Sequence, residues 1–414
     1  MKQISRQLVA CVAVFGATVL MPIGAQADGY GAAGGAGGME TPVGTLETLL
    51  EPNTLIGSLR NMTTLFPSRT VARGGPIRPL EAAPGRDVRY AYEGADYTVE
   101  DFMVRTRATG LLVLKDGQVI TERYAHGATP GSLLTSWSVA KSFTSTLVGI
   151  ALKKGLIDSL DDPFGKYIPA LKDKAYGAVS IRHALQMSSG IKFNERYGDG
   201  DSDVNKLFTG GMITYETRLN DYMAARPQAE EPGTRFNYST GETQIIGWLV
   251  QAVSGQTVSD FMSRELWQKL GAEHDAQWLV DQRGGDAMEM TGCCLNISLR
   301  DYARFGLLMA QDGMWEGERL LPEGWVAEAT QPQSAQVAHG ALDPEGVYPL
   351  GYGYQWWSLP GPDKAFTAQG VYGQFVYVNP AKGVVAALTS AWPEAWMRRR
   401  EFEFYAFMEA FEAL

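Results

Sequence analysis

Leu133-Leu134-Thr135-Ser136-Trp137-Ser138-Val139-Ala140-Lys141 runs into a mostly apolar stretch, Phe143 to Leu152, that stops before Gly155. Such a stretch followed by glycine predicts a buried helix with a left-handed stop. Residues three apart share a helix face, so the Ser138 hydroxyl and the Lys141 amine can touch. Ser138 would lie at the helix N-terminus, where free backbone N–H groups favour developing negative charge. That layout suits acyl transfer by a serine whose partner is lysine rather than histidine. The plainer alternative is an N-cap serine beside a surface lysine. Ser189-Gly190-Ile191-Lys192 repeats the pattern, but its internal glycine reads as a turn at the end of a short helix.

Working outward, the start of the chain predicts export. Lys2 and Arg6 precede the apolar Leu8–Ile23, and Ala25-Gln26-Ala27 offers a small-residue cleavage site before Asp28. Cleavage would remove two positive charges and no acid, taking the formal net charge from −10 to −12. That acidity argues against nucleic acid or an anionic membrane as partner. No later segment has the ~20 apolar residues of a membrane span, so the expected location is a bacterial periplasm or the medium. With Cys11 removed, only Cys293-Cys294 remains, and two buried free thiols are expected there. His126, His183, His274 and His339 are scattered and make no metal pattern, so no metal and no cofactor are expected.

Residues 28–44 form a Gly/Ala-rich linker, and residues 45–84 read as an arm with a short helix near Thr45–Leu50. Residues 85–414 form the main domain. Lys115-Asp116-Gly117 between two strand-like runs predicts a hairpin, and Asn379–Gly383 a second near the C-terminus. Tyr354-Gln355-Trp356-Trp357 suggests another short strand, and a helix is expected from about Glu394 to Phe411. Between the hairpins, Ser180, Ser239 or Thr240, Ser259 and Ser298 can each cap a helix. The fold class predicted is therefore α+β. An antiparallel sheet comes from both chain ends, and a largely helical insertion spans about 165–300.

Two further motifs carry chemistry. Pro232-Gly233-Thr234-Arg235-Phe236-Asn237-Tyr238 would project a phenol at a helix entry. Ala368-Gln369-Gly370-Val371-Tyr372-Gly373-Gln374 places glycines at a strand entry, where backbone can approach a ligand closely. The N–H groups of Val371 and Ser138 would then pair as an oxyanion hole. The ordered set resembles class C β-lactamases, penicillin-binding proteins and related esterases, and within them the 6-aminohexanoate-dimer hydrolases most. The stretches Phe193–Tyr197, Val280-Asp281-Gln282 and Ser390–Pro393 add to the likeness.

The resemblance implies a β-lactamase/transpeptidase-like fold with Ser138 as nucleophile, Lys141 as its base partner and Tyr238 as third catalytic group. It implies Tyr197 as a substrate contact, with Gly370, Tyr372, Gln374 and Trp392 as further candidates. The substrate would be a small ester, amide or short peptide. Two departures bear on that substrate. The Lys-Thr-Gly of β-lactamases reads Ala368-Gln369-Gly370 here, and the tyrosine motif ends in Thr240 rather than asparagine. The acid that helps nylon hydrolases hold a linear amide is replaced, by spacing, with Phe208. An enzyme for β-lactams or D-amino-acid peptides, and a non-catalytic envelope-binding module, are the alternatives. A lysine near ~10.4 is protonated at neutral pH, so either Lys141 is lowered by burial or Tyr238 is ionised beside it.

Overall fold

The protein is seen in a computed structural model that describes residues 41–343, 345 and 347–414. The expected signal over 1–27, and residues 28–40 of the linker, lie outside the described residues.

Seven strands form one antiparallel sheet, in the spatial order Gly351–Tyr352, Trp357–Ser358, Phe366–Gly370, Gln374–Asn379, Val384–Ser390, Ala108–Lys115 and Gln118–Tyr124. The two hairpins meet in the middle, where Val113 pairs with Ala386 and Leu111 with Leu388. The first turns at Asp116 and Gly117, both at positive φ as a two-residue hairpin turn requires. Both sheet faces are covered, so the strands read as continuous apolar runs rather than alternating ones. On one face Phe375, Tyr377 and Leu388 pack with Phe404, Phe407 and Phe411 of the last helix, Arg398–Glu412. Each such ring is worth roughly 1.5–3 kcal/mol on burial. On the other, Val376, Val378 and Val385 face the helix Leu299–Ala310 and the helix Ala140–Lys153 behind it.

The insertion is less purely helical than expected. Ala276–Leu279 and Leu295–Ile297 are strands, paired to Ser68–Val71 of the arm and to Leu134–Thr135 just before the Ser138 turn. These strands are three or four residues long, too short for a period-two signal to stand out. Thr257, not Ser259, caps the segment that follows, accepting from the Asp260 N–H.

The arm also departs from expectation. Residues 46–50 are turns, not a helix. Pro52 has no N–H to give the Thr48 carbonyl, and the Thr54 hydroxyl takes that carbonyl instead. The end of the supposed linker is packed: Gly44 N–H donates to Ser58 Oγ at 2.9 Å. Cys293 and Cys294 are joined to each other rather than free. Cys294 sits at φ +69°, a left-handed turn that lets neighbours bridge.

Gly306 marks how tightly the Leu299–Ala310 helix lies on the sheet, since a Cβ there would sit 2.6 Å from Val385 Cγ1. Gly306→Ala should therefore cost about 1–3 kcal/mol by overpacking. Thermal denaturation reads this as a fall of several degrees, and an unchanged midpoint would contradict the packing.

Candidate active site

A short 3-10 turn, Trp137–Val139, carries Ser138 into the helix Ala140–Lys153. Its approach is pinned by Ser136, whose N–H donates to the Leu295 carbonyl at 2.8 Å while its Oγ accepts from Leu295 N–H at 3.0 Å. Trp137 holds φ +42° immediately before Ser138, and Tyr372 holds φ +62° just after Val371. Their rings lie 5.7 Å apart. Non-glycine residues in this region cost of order 1–3 kcal/mol each and gather at functional sites.

Lys141 Nζ lies 2.9 Å from Ser138 Oγ, and the lysine is 1 % exposed. The amine donates to Gly292 O at 2.6 Å and to Thr240 Oγ1 at 3.0 Å. The Thr240 hydroxyl in turn donates to Glu195 Oε1, so its oxygen can only accept from lysine. Two amine hydrogens are thereby committed, and the remaining tetrahedral position faces Ser138. In the neutral amine that position is the lone pair. Burial pulls the Lys141 pKa down to about 8, with the Glu195 charge opposing the shift. The second serine–lysine motif makes no such pair: Ser189 donates to Glu242 and Lys192 is exposed.

Tyr238 comes from the segment before the helix Thr240–Ser254, which Ser239 caps by accepting from Glu242 N–H. The Lys141 amine lies 5.1 Å from the Tyr238 ring centroid, and Trp357 stacks on the ring at 5.6 Å. Burial raises the Tyr238 pKa, Glu195 adds to that, and hydrogen bonding with Ser138 opposes it. The phenol is thus protonated at neutral pH. Both shifts run toward a neutral amine beside a neutral phenol.

Glu195, quoted from sequence only as part of a likeness, is a component of this cluster. It accepts from Thr240 N–H at 2.9 Å and from the Tyr197 hydroxyl at 2.8 Å. Burial raises its pKa, while Lys141 and these donors pull it down. One acid in an acid-rich loop carries no sequence signal. Gly292 carries none either, yet a Cβ there would sit 2.5 Å from Thr240 O, so only glycine lets this carbonyl reach the lysine.

The other predicted residues divide. Ser138, Tyr197, Val371 and Tyr372 line one cavity together with Thr240 and Phe208. Gly370 lies against backbone, not ligand: its Cβ would fall 2.6 Å from Ser136 O and 3.1 Å from Ser138 N. Val371 follows the last ladder pair, Gly370–Gln374, beside the nucleophile turn. Gln374 is a brace rather than a substrate contact, donating to Val371 O at 3.2 Å and Ser390 O at 2.9 Å. Trp392 is likewise corrected. It is fully buried under Gly373 and packs on Phe375. Trp356 is core and precedes the strand Trp357–Ser358, which covers only the last residue of the strand expected over Tyr354–Trp357, while Trp357 stacks on Tyr238.

With that geometry in view, residues 95–406 match the family described as Beta-lactamase. The chain belongs to the Beta-lactamase family. It is a serine hydrolase. It is 30% identical over 341 residues to a 6-aminohexanoate-dimer hydrolase of Paenarthrobacter ureafaciens, covering 80% of this chain and 83% of that protein. A candidate 6-aminohexanoate-dimer hydrolase from Bacillus anthracis superposes with TM-score 0.79 at 20% identity, over 88% of this chain and 95% of that one. A family VIII carboxylesterase superposes with TM-score 0.57 at 16% identity, over 75% of this chain and 95% of that one.

If neutral Lys141 is the working form, Ser138 labelling by a fluorophosphonate should rise with pH through a midpoint of about 8. Glu195 favours the charged amine, so Glu195→Gln should move that midpoint down. A midpoint that stays put or rises would show that Glu195 does not act on Lys141.

Proposed function

We propose that this protein is an exported esterase or amidase that works through an acyl-enzyme on Ser138. The observation that carries the reading is the buried Lys141 amine, two of its hydrogens held by Gly292 O and Thr240 Oγ1 and its remaining position turned to Ser138 Oγ. Lys141 takes the Ser138 proton as the oxygen attacks a carbonyl carbon. The charge formed on Lys141 is offset by nearby Glu195, reached through Thr240. The N–H groups of Ser138 and Val371 hold the oxyanion. Tyr238 gives its phenol proton to the departing group as the bond to the acyl carbon breaks, and Lys141 passes the proton taken from Ser138 to the Tyr238 oxygen, restoring both groups. Water then adds to the acyl-enzyme by the same route in reverse.

The residues in place of the β-lactamase cation support ester or linear amide over β-lactam. Ala368 packs in the core. The Gln369 amide is turned away, donating to Tyr405 Oη at 2.5 Å and Glu401 Oε1 at 3.3 Å. Neither offers a charge to a substrate carboxylate. Export rests on the basic start and the Ala25-Gln26-Ala27 site. A secreted chain beginning at Asp28, read by intact mass, is the expected product.

Ser138→Ala and Lys141→Met should each lower ester turnover by at least ~10³-fold. Tyr238→Phe should discriminate between leaving groups. It should slow an unactivated amide or alkyl ester by ~10²–10⁴-fold and spare p-nitrophenyl esters, whose leaving group departs unprotonated. Full esterase activity in Ser138→Ala would overturn the assignment.

A further inference from the structure

The cavity beside Ser138 has a wall that the catalytic motifs do not supply. Leu46, Glu47, Leu49 and Leu50 of the N-terminal arm line it. We propose that the 45–50 turn is the specificity wall of the acyl site, and that this site takes an apolar acyl chain of about six carbons. The inference rests on the serine-hydrolase reading above and adds the substrate class to it.

Four observations support it. The first is chemical. Besides Leu46 and Leu50, the cavity is lined by Val204, Phe208, Ile213 and Met290, and Glu47 is the one charged side chain among the lining residues. The polar groups beside them already have partners within the protein: the Tyr197 and Thr240 hydroxyls donate to Glu195, and the Asn205 amide donates to the carbonyls of Tyr197 and Asp199. An apolar chain fits such a surface, and a chain ending in a carboxylate meets Glu47.

Second, the wall is held in place. Leu49 is 4 % exposed, Thr45 N–H donates to Thr48 Oγ1 at 2.9 Å, and Thr54 secures the Thr48 carbonyl. Gly57 lets the preceding strand of chain pass, since a Cβ there would sit 2.1 Å from Pro42 O. Third, the side of the scissile bond is decided by Tyr238. The leaving group must reach that phenol, which sits among Phe236, Tyr352 and Trp357 and does not line the cavity. The cavity therefore receives the acyl portion. Fourth, its volume is about 120 Å³, against the ~150 Å³ of an apolar cavity that holds benzene.

The test is kcat/KM for p-nitrophenyl esters from acetyl to decanoyl. It compares wild type with Leu46→Ala/Leu50→Ala and with Leu50→Trp, each checked for an unchanged melting midpoint; Leu46 and Leu50 are only half-buried. Wild type should peak near hexanoyl. The double alanine variant should peak at least about two carbons longer, and Leu50→Trp should lose about tenfold or more on hexanoyl while acetyl changes little, in line with what one methylene is worth in an apolar pocket. A chain-length profile common to all three proteins, or a parallel loss on every ester, would overturn the inference while leaving Ser138 chemistry intact. A wild type without Ser138-dependent ester turnover would instead overturn the functional reading, and this inference with it.

Discussion

A lysine amine buried beneath a serine is the constraint on which the rest of the site depends. An ammonium removed from water is unfavourable unless neutralised or paired. Lys141 is managed by both means: burial draws its pKa down to about 8, and Glu195 stands one hydroxyl away for the moment when it becomes charged. A direct ion pair would favour the charged amine more strongly. The intervening Thr240 moderates the pair, accepting from the lysine while donating to the acid. The threonine hydroxyl thus joins the amine and the carboxylate in one hydrogen-bonded chain.

Placing those groups takes several separate pieces of chain. The nucleophile turn is tied to the Leu295–Ile297 strand through Ser136. The helix Thr240–Ser254 presses on residues 291–292, where glycine at 247 and at 292 allows the approach; a Cβ on Gly247 would sit 2.2 Å from Thr291 Oγ1. Gly370 lets the sheet strand lie on Ser138 N. The site is therefore assembled where sheet, helices and arm converge, and its precision comes from close backbone contacts that side chains would forbid.

Much of this was legible in the chain. The hairpins were readable because Asp-Gly and a Pro-containing turn punctuate long apolar runs, and the caps Ser180, Ser239 and Ser298 because their side chains bond the first turn locally. The pairing of Ser138 with Lys141 follows from helical spacing. Trp392 and Gln374 misled because apolar and amide side chains near a glycine-rich strand serve packing and bracing as well as binding. The arm misled because a leucine-rich stretch has the composition of a helix, while Pro52 has no N–H to continue it and the Thr48 carbonyl accepts from Glu51 N–H in a turn.

By itself the sequence determined the local elements and the spacing that puts Ser138 beside Lys141, since capping, turn chemistry and residue spacing act over a few positions. Only tertiary structure decided that Lys141 is buried, which draws its pKa down to about 8, because desolvation depends on everything packed around the amine. Contacts across long separations, such as Thr240 with Glu195 and Gly292 with Lys141, were likewise decided there. So was the recruitment of the 45–50 turn to the cavity wall, which depends on how the arm packs across the folded domain and not on any local pattern.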